Sequence, residues 1–144
     1  MADGPFLRAL FRTHLWLSAR LMPALVGRRD FEGVLKLAPL RSPTPYRDLP
    51  SAYIVQRVNR TVRRPWFMRD RRCLREGLLG FRFLRMAGLD PDLRFGVDAK
   101  SMQEPRLSAH CWVCLDGRPV VSDSLPGMVE IYRHAADVTR TRAA

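Results

Sequence analysis

The sequence predicts an α+β fold, with helices first and a small antiparallel sheet after them. Three observations carry that expectation. Apolar residues recur at three- and four-residue spacing through most of the chain up to Ala87. From Leu93 the period drops to two. Between two alternating runs sits Asp116-Gly117, a pair suited to the left-handed dihedrals of a two-residue hairpin.

The first helix is expected from Gly4 to Val26. Phe6, Leu10, Leu17 and Leu21 share its central stripe, and Leu7, Phe11, Leu15 and Met22 flank it. Asp30 can cap a short second helix that buries Phe31, Val34 and Leu35. Four prolines between Pro39 and Pro50 make that stretch a loop. Ser51 is the expected cap of a helix running to Arg64, with Ala52, Val55, Val58 and Val62 inward and Pro65 ending it.

The most regular helix follows, from Cys73 to Ala87. Leu74, Leu78, Phe81 and Leu84 form its stripe, and Gly88 sits where a left-handed cap is needed. Leu93, Phe95 and Val97 then alternate as a half-buried strand. A second strand runs from Leu107 to Leu115, and Arg118–Asp123 returns beside it. The tail from Thr139 is expected to be disordered. Residues 1–50 are read as a helical extension packed on a core of residues 51–144, the whole a single folded unit.

A chain of 144 residues, 47% hydrophobic, can bury one substantial core. It has no run of about 20 uncharged apolar residues, the length a membrane span requires. The stretch Pro5–Val26 is interrupted by Arg8, Arg12 and Arg20, which a secretory signal would not carry. Three cysteines without framework spacing fit a reducing compartment, so the expected location is cytoplasmic. The net charge of +11 is carried almost wholly by arginine, and ten arginines lie between Arg57 and Arg85 against two acids, Asp70 and Glu76. Such a patch attracts acidic partners, whether peptide or nucleic acid. It is equally what an arginine-rich, well-solvated surface looks like.

The candidate chemistry lies on three residues. A two-residue loop at Asp116-Gly117 pairs Leu115 with Arg118 and, continued along the strands, places His110 opposite Asp123. Directly opposed side chains sit with Cβ atoms about 4.5–5.5 Å apart, within reach of an imidazole–carboxylate hydrogen bond. A three-residue loop would put Ser124 there instead. Cys73 supplies a nucleophile at a helix start beside Arg71, Arg72 and Arg75. Helix-terminal N–H groups and cationic neighbours both favour thiolate, and those N–H groups offer part of an oxyanion hole.

The run Cys73-Leu74-Arg75-Glu76-Gly77-Leu78-Leu79, then Phe95-Gly96-Val97, then Ala109-His110-Cys111-Trp112-Val113 ahead of Asp116-Gly117, resembles the transglutaminase-like leader peptidases of lasso-peptide biosynthesis. The likeness covers residues 52–123. It implies a papain- or transglutaminase-like core and a triad of Cys73, His110 and Asp123, with no cofactor and no metal. It also implies removal of the leader from a ribosomally made precursor, which frees the core peptide for ring closure by a separate macrolactam-forming cyclase. The expected form is the split one, which relies on a separate small leader-recognition protein. The chain departs from the family pattern at Cys111, where Ala is usual, at Cys114, where an acid is frequent, and in the long stretch from Val97 to His110.

Other readings bear on the same residues. Cys111 and Cys114 match C-x-x-C, but residues three apart on a strand point to opposite faces, so they share neither a disulfide nor a metal. Cys111 is accordingly read as core, Trp112 as a wall of the pocket or ordinary packing, and His14 and His134 as without a role. Two rivals to a peptidase are a nucleic-acid-binding module using the arginine patch and a scaffold that binds a peptide without cutting it.

Overall fold

A computed structural model describes residues 4–27, 33, 45–63 and 72–135. The short helix expected after Asp30, the first part of the proline-rich loop, the stop at Pro65 and the tail from Thr139 lie outside the described residues. The order is α1 (Pro5–Gly27), α2 (Ser51–Val62), α3 (Arg72–Met86), β1 (Asp92–Asp98), β2 (Ala109–Leu115), β3 (Arg118–Val121) and β4 (Met128–Ala135). The strands form one antiparallel sheet in the order β3-β2-β1-β4, giving the α+β architecture expected. No helix among the described residues is long and apolar enough to cross a membrane.

α1 buries a different face from the one expected. Leu7, Phe11, Leu15, Ala19 and Met22 are buried, whereas Phe6, Leu10, Leu17 and Leu21 are exposed. The helix is apolar around more than half its circumference, so period alone does not choose the side that meets the core. Phe11 decides it. Its ring meets Tyr46 edge-on at 5.2 Å and Phe83 at 5.3 Å, geometry that adds about 0.5–1.5 kcal/mol per pair to area burial. His14 belongs to the same cluster, with Nδ1 3.0 Å from the Tyr46 hydroxyl, so it is a packed, hydrogen-bonded histidine. Pro45–Asp48, expected as loop, forms a 3-10 turn that presents Tyr46 to this cluster.

α2 is capped by Pro50 rather than Ser51, the Pro50 carbonyl accepting from the N–H of Tyr53 and of Ile54. It buries Ile54, Val58 and Val62. Ala52 faces solvent, and Val55 packs at the margin. α3 meets its expected stripe at Leu78, Phe81 and Leu84 and ends as expected. Gly88 takes φ +79, and the N–H of Leu89 returns to the Leu84 carbonyl.

Where α3 lies on the sheet, two glycines set the distance. A Cβ on Gly77 would stand 2.9 Å from Cys111 Sγ, and one on Gly80 would stand 2.8 Å from a Val121 methyl carbon. Both are closer than real Cβ atoms pack, so the helix sits flush on β2 and β3 only because those positions carry no side chain. β1 and β2 are joined through a 3-10 turn at Lys100–Gln103, where buried Ser101 donates to the Asp98 carbonyl and accepts from the Ser108 N–H. β4, not anticipated from the sequence, is an edge strand. It is tied to β1 partly through Arg94, which bridges Asp92 and Glu130.

Gly80→Ala should destabilise the protein by about 1–3 kcal/mol, because Val121 is branched at Cβ and cannot swing aside. Urea unfolding of Gly80→Ala and of Gly80→Ala with Val121→Ala measures this. The double variant should recover part of the loss, and an unchanged midpoint in the single variant would contradict the close approach.

Candidate active site

Cys73 lies in the first turn of α3, one turn ahead of Gly77. At that end of a helix the backbone N–H groups have no intrahelical acceptor and the dipole is positive. The flush seating of α3 lowers this turn onto the start of β2. There the Cys111 thiol donates to the Cys73 carbonyl oxygen at 2.9 Å. The Cys73 sulfur lies within hydrogen-bonding reach of both the Cys111 thiol and the His110 imidazole.

The electrostatics follow from this contact. The Cys111 thiol, hydrogen-bonded to the Cys73 sulfur, is the largest cause that lowers the Cys73 pKa to about 5. His110 adds to it through a hydrogen bond and its charge, and partial burial opposes it. The same contact, with burial, pushes the Cys111 thiol far up, so Cys111 keeps its proton and Cys73 gives one away. Glu76, one turn along α3, is half-buried. Burial raises its pKa, the charges of Arg72 and Arg63 oppose that rise, and Cys73 and His110 both act on it.

His110 is held on its far side. Its Nε2 is 2.9 Å from the main-chain carbonyl of Asp123 and 3.3 Å from Ser122 Oγ. A carbonyl only accepts, so Nε2 carries hydrogen, and in the neutral ring the lone pair falls on Nδ1. That leaves Nδ1 as the ring's acceptor. Trp112 stacks on the His110 ring with centroids 6.2 Å apart and planes at 20°, and its outer edge fits against Gly96, where a Cβ would come within 2.9 Å.

The expected cross-strand register holds only next to the turn. Asp116 and Gly117 take φ 51 and 77, and Leu115 pairs with Arg118 and Cys114 with Pro119. Between Cys114 and Val113 the register shifts by one, so that Val113 faces Val121, and β3 ends there. His110 therefore pairs with Gly96 on β1 but has no direct partner on β3. Ser122, at φ 55, turns the chain, and what reaches the imidazole from Asp123 is its backbone oxygen. A bulge of this kind adds one residue to one strand, and composition alone does not announce it.

Two residues of this site were not singled out from the sequence. Cys111 was read as core, which its burial fits, but its sulfur points at Cys73. Glu76 had a visible signal, since positions three apart on a helix share a face. Cys73, Cys111 and Cys114 are all free thiols. Among the described residues no group of three or more His, Cys, Asp or Glu side chains converges to hold a metal ion.

Comparison with known proteins gives one match. The profile of a family described as Transglutaminase-like superfamily aligns with residues 12–137, which include Cys73, His110 and Asp123. No curated protein and no solved structure matches the chain.

Cys111→Ala should raise the pH at which Cys73 becomes a thiolate, from about 5 toward the ordinary thiol range, whereas Cys111→Ser keeps a donor and should shift it less. Thiolate exists above its pKa, so between the old and new midpoints the variant should react more slowly. The pH profile of iodoacetamide labelling at Cys73, read by mass spectrometry, measures this, and superimposable profiles would refute the role given to Cys111. Because the folded pKa is depressed, this ionisation stabilises the native state above the unfolded thiol pKa, and that contribution fades as pH falls toward about 5.

Proposed function

We infer the function from one fact of kinship: this chain belongs to the transglutaminase-like superfamily. Within it, we propose a cysteine peptidase that removes the leader from a ribosomally synthesised lasso-peptide precursor. Cys73 is the nucleophile, His110 the acid and base, and Asp123 the residue that orients His110. What supports this reading is a Cys73 thiol at the head of α3 whose pKa is lowered by Cys111 and His110, with His110 Nε2 held by the Asp123 carbonyl.

The steps follow from that arrangement. The Cys73 thiolate attacks the carbonyl carbon of the last leader residue. Charge develops on the carbonyl oxygen, beside the unpaired N–H groups of the α3 first turn. Collapse breaks the C–N bond, and the His110 Nδ1 proton passes to the departing amine, which is the N-terminus of the core peptide. Water, deprotonated by the now neutral Nδ1, attacks the thioester and releases the leader as a carboxylic acid. The thiolate and imidazolium are restored. Throughout, the Asp123 carbonyl holds Nε2–H, which is how this chain would orient the ring without a carboxylate.

The partners this reading brings are the precursor peptide, a separate small leader-recognition protein and a macrolactam-forming cyclase that takes the freed amine. A reducing cytoplasm suits three free thiols, one of them ionised near neutrality.

Cys73→Ala should abolish leader cleavage while leaving circular dichroism and the unfolding midpoint close to those of the parent. Asp123→Asn should cost less than about tenfold in kcat/KM, because the backbone carbonyl stays. Where a carboxylate orients the histidine, the same exchange costs about 10⁴-fold. Single-turnover cleavage of a precursor peptide, with the recognition partner present, tests both. Normal turnover by Cys73→Ala would leave the alternative of a basic, non-catalytic binding module.

A further inference from the structure

α1 and α2 meet along a cavity of about 580 Å³ whose walls include none of Cys73, His110 or Cys111. Arg12, Thr13 and Trp16 line it from one helix and Arg57, Arg60 and Thr61 from the other, each set at the spacing that puts residues on one helical face. Apolar Ala9 and Leu15 also line it. Among the described residues, no acidic side chain lines it, and none lies within ion-pairing distance of Arg12, Arg57 or Arg60.

Three guanidinium groups around one cavity repel one another unless an anion joins them. Arg57 is already oriented. Its guanidinium lies over the Tyr53 ring at 5.3 Å, with Arg8 over the same ring at 5.2 Å, and its buried Nε has no hydrogen-bond acceptor. A planar fork held by an aromatic ring is the form in which arginine takes carboxylates, two N–H groups to two oxygens.

We propose that this cavity docks an acidic segment of the peptide substrate, its carboxylates held by Arg12, Arg57 and Arg60 at a distance from the bond that is cut. The choice of a peptide rests on the peptidase reading above, whereas the presence of an anion site does not. The cavity's size and partly apolar lining suit a few side chains, pockets for which run to about 300–1,000 Å³. Nucleic-acid strands are usually tracked by an open basic groove with successive stacking rings. There is also continuity with the chemistry. α2 leads from Arg60 and Thr61 to Arg63, whose charge acts on Glu76, one turn from Cys73. On this proposal, a chain anchored by its acidic part in the cavity would run along the end of α2 toward the first turn of α3.

The test uses fluorescence anisotropy on full-length Cys73→Ala protein, so that binding is read without turnover. The probes are a fluorescein-labelled oligoglutamate peptide and a fluorescein-labelled single-stranded DNA of equal charge. Arg12 and Arg60 are exposed, so Arg12→Gln with Arg60→Gln should leave the fold intact; a second variant, Arg57→Gln, removes the oriented fork. Expected are preferential binding of the peptide and a loss of about tenfold or more in its affinity in either variant. Arg118→Gln at the hairpin turn should bind as the parent does. Equal or tighter binding of the DNA, or unaltered peptide affinity in both variants, would overturn the proposal. In the active enzyme, the exposed pair of changes should raise KM for an acidic substrate and spare kcat. An unmoved KM sinks the docking site alone, while absent cleavage by the parent sinks the peptidase reading alone.

Discussion

The site depends on how closely α3 can approach the sheet. Gly77 and Gly80 face Cys111, Leu93 and Val121 at distances where any side chain would collide. Seated there, the helix brings its first turn within reach of the start of β2, so one packing decision places the Cys73 sulfur beside Cys111 and His110 together. Thiols hydrogen-bond weakly and imidazoles only over short distances. A helix held off by even one methyl group would leave the same residues present without their contacts.

That contact divides one proton unequally between two cysteines. Cys111 is buried on the sheet side, where ionisation is costly, and its thiol donates to the Cys73 carbonyl beside the Cys73 sulfur. Cys73 is only half-buried, at a helix terminus, where negative charge is favoured. Ordinary thiol chemistry, placed in two adjacent environments, favours a thiolate at Cys73 and a protonated donor at Cys111. The imidazole is treated comparably. Trp112 fixes its plane, and the Asp123 carbonyl fixes its tautomer, with backbone supplying what a carboxylate supplies elsewhere.

Most of the fold was legible because its signals are local. The stripe of α3, the left-handed Gly88, the change of period at Leu93 and the Asp116-Gly117 turn each follow from residues within a few positions of one another. The misreadings share the opposite character. Which face of α1 is buried was settled by rings on Tyr46, Tyr53 and Phe83, far along the chain. β4 has alternation too weak to announce an edge strand, and its place comes from pairing with β1. The bulge beside Val113 moved the register by one residue and so changed which atom of Asp123 meets His110.

By itself, the sequence determined an α+β order, a cysteine at the head of an amphipathic helix and a histidine on a strand ahead of a tight turn. Those depend on backbone propensity and short-range periodicity. Only the tertiary structure decided that Cys111 faces Cys73, that Glu76 shares their field, and that a backbone carbonyl holds the imidazole. Hydrogen bonds and charges act through space, between residues whose separation along the chain carries no trace of their distance.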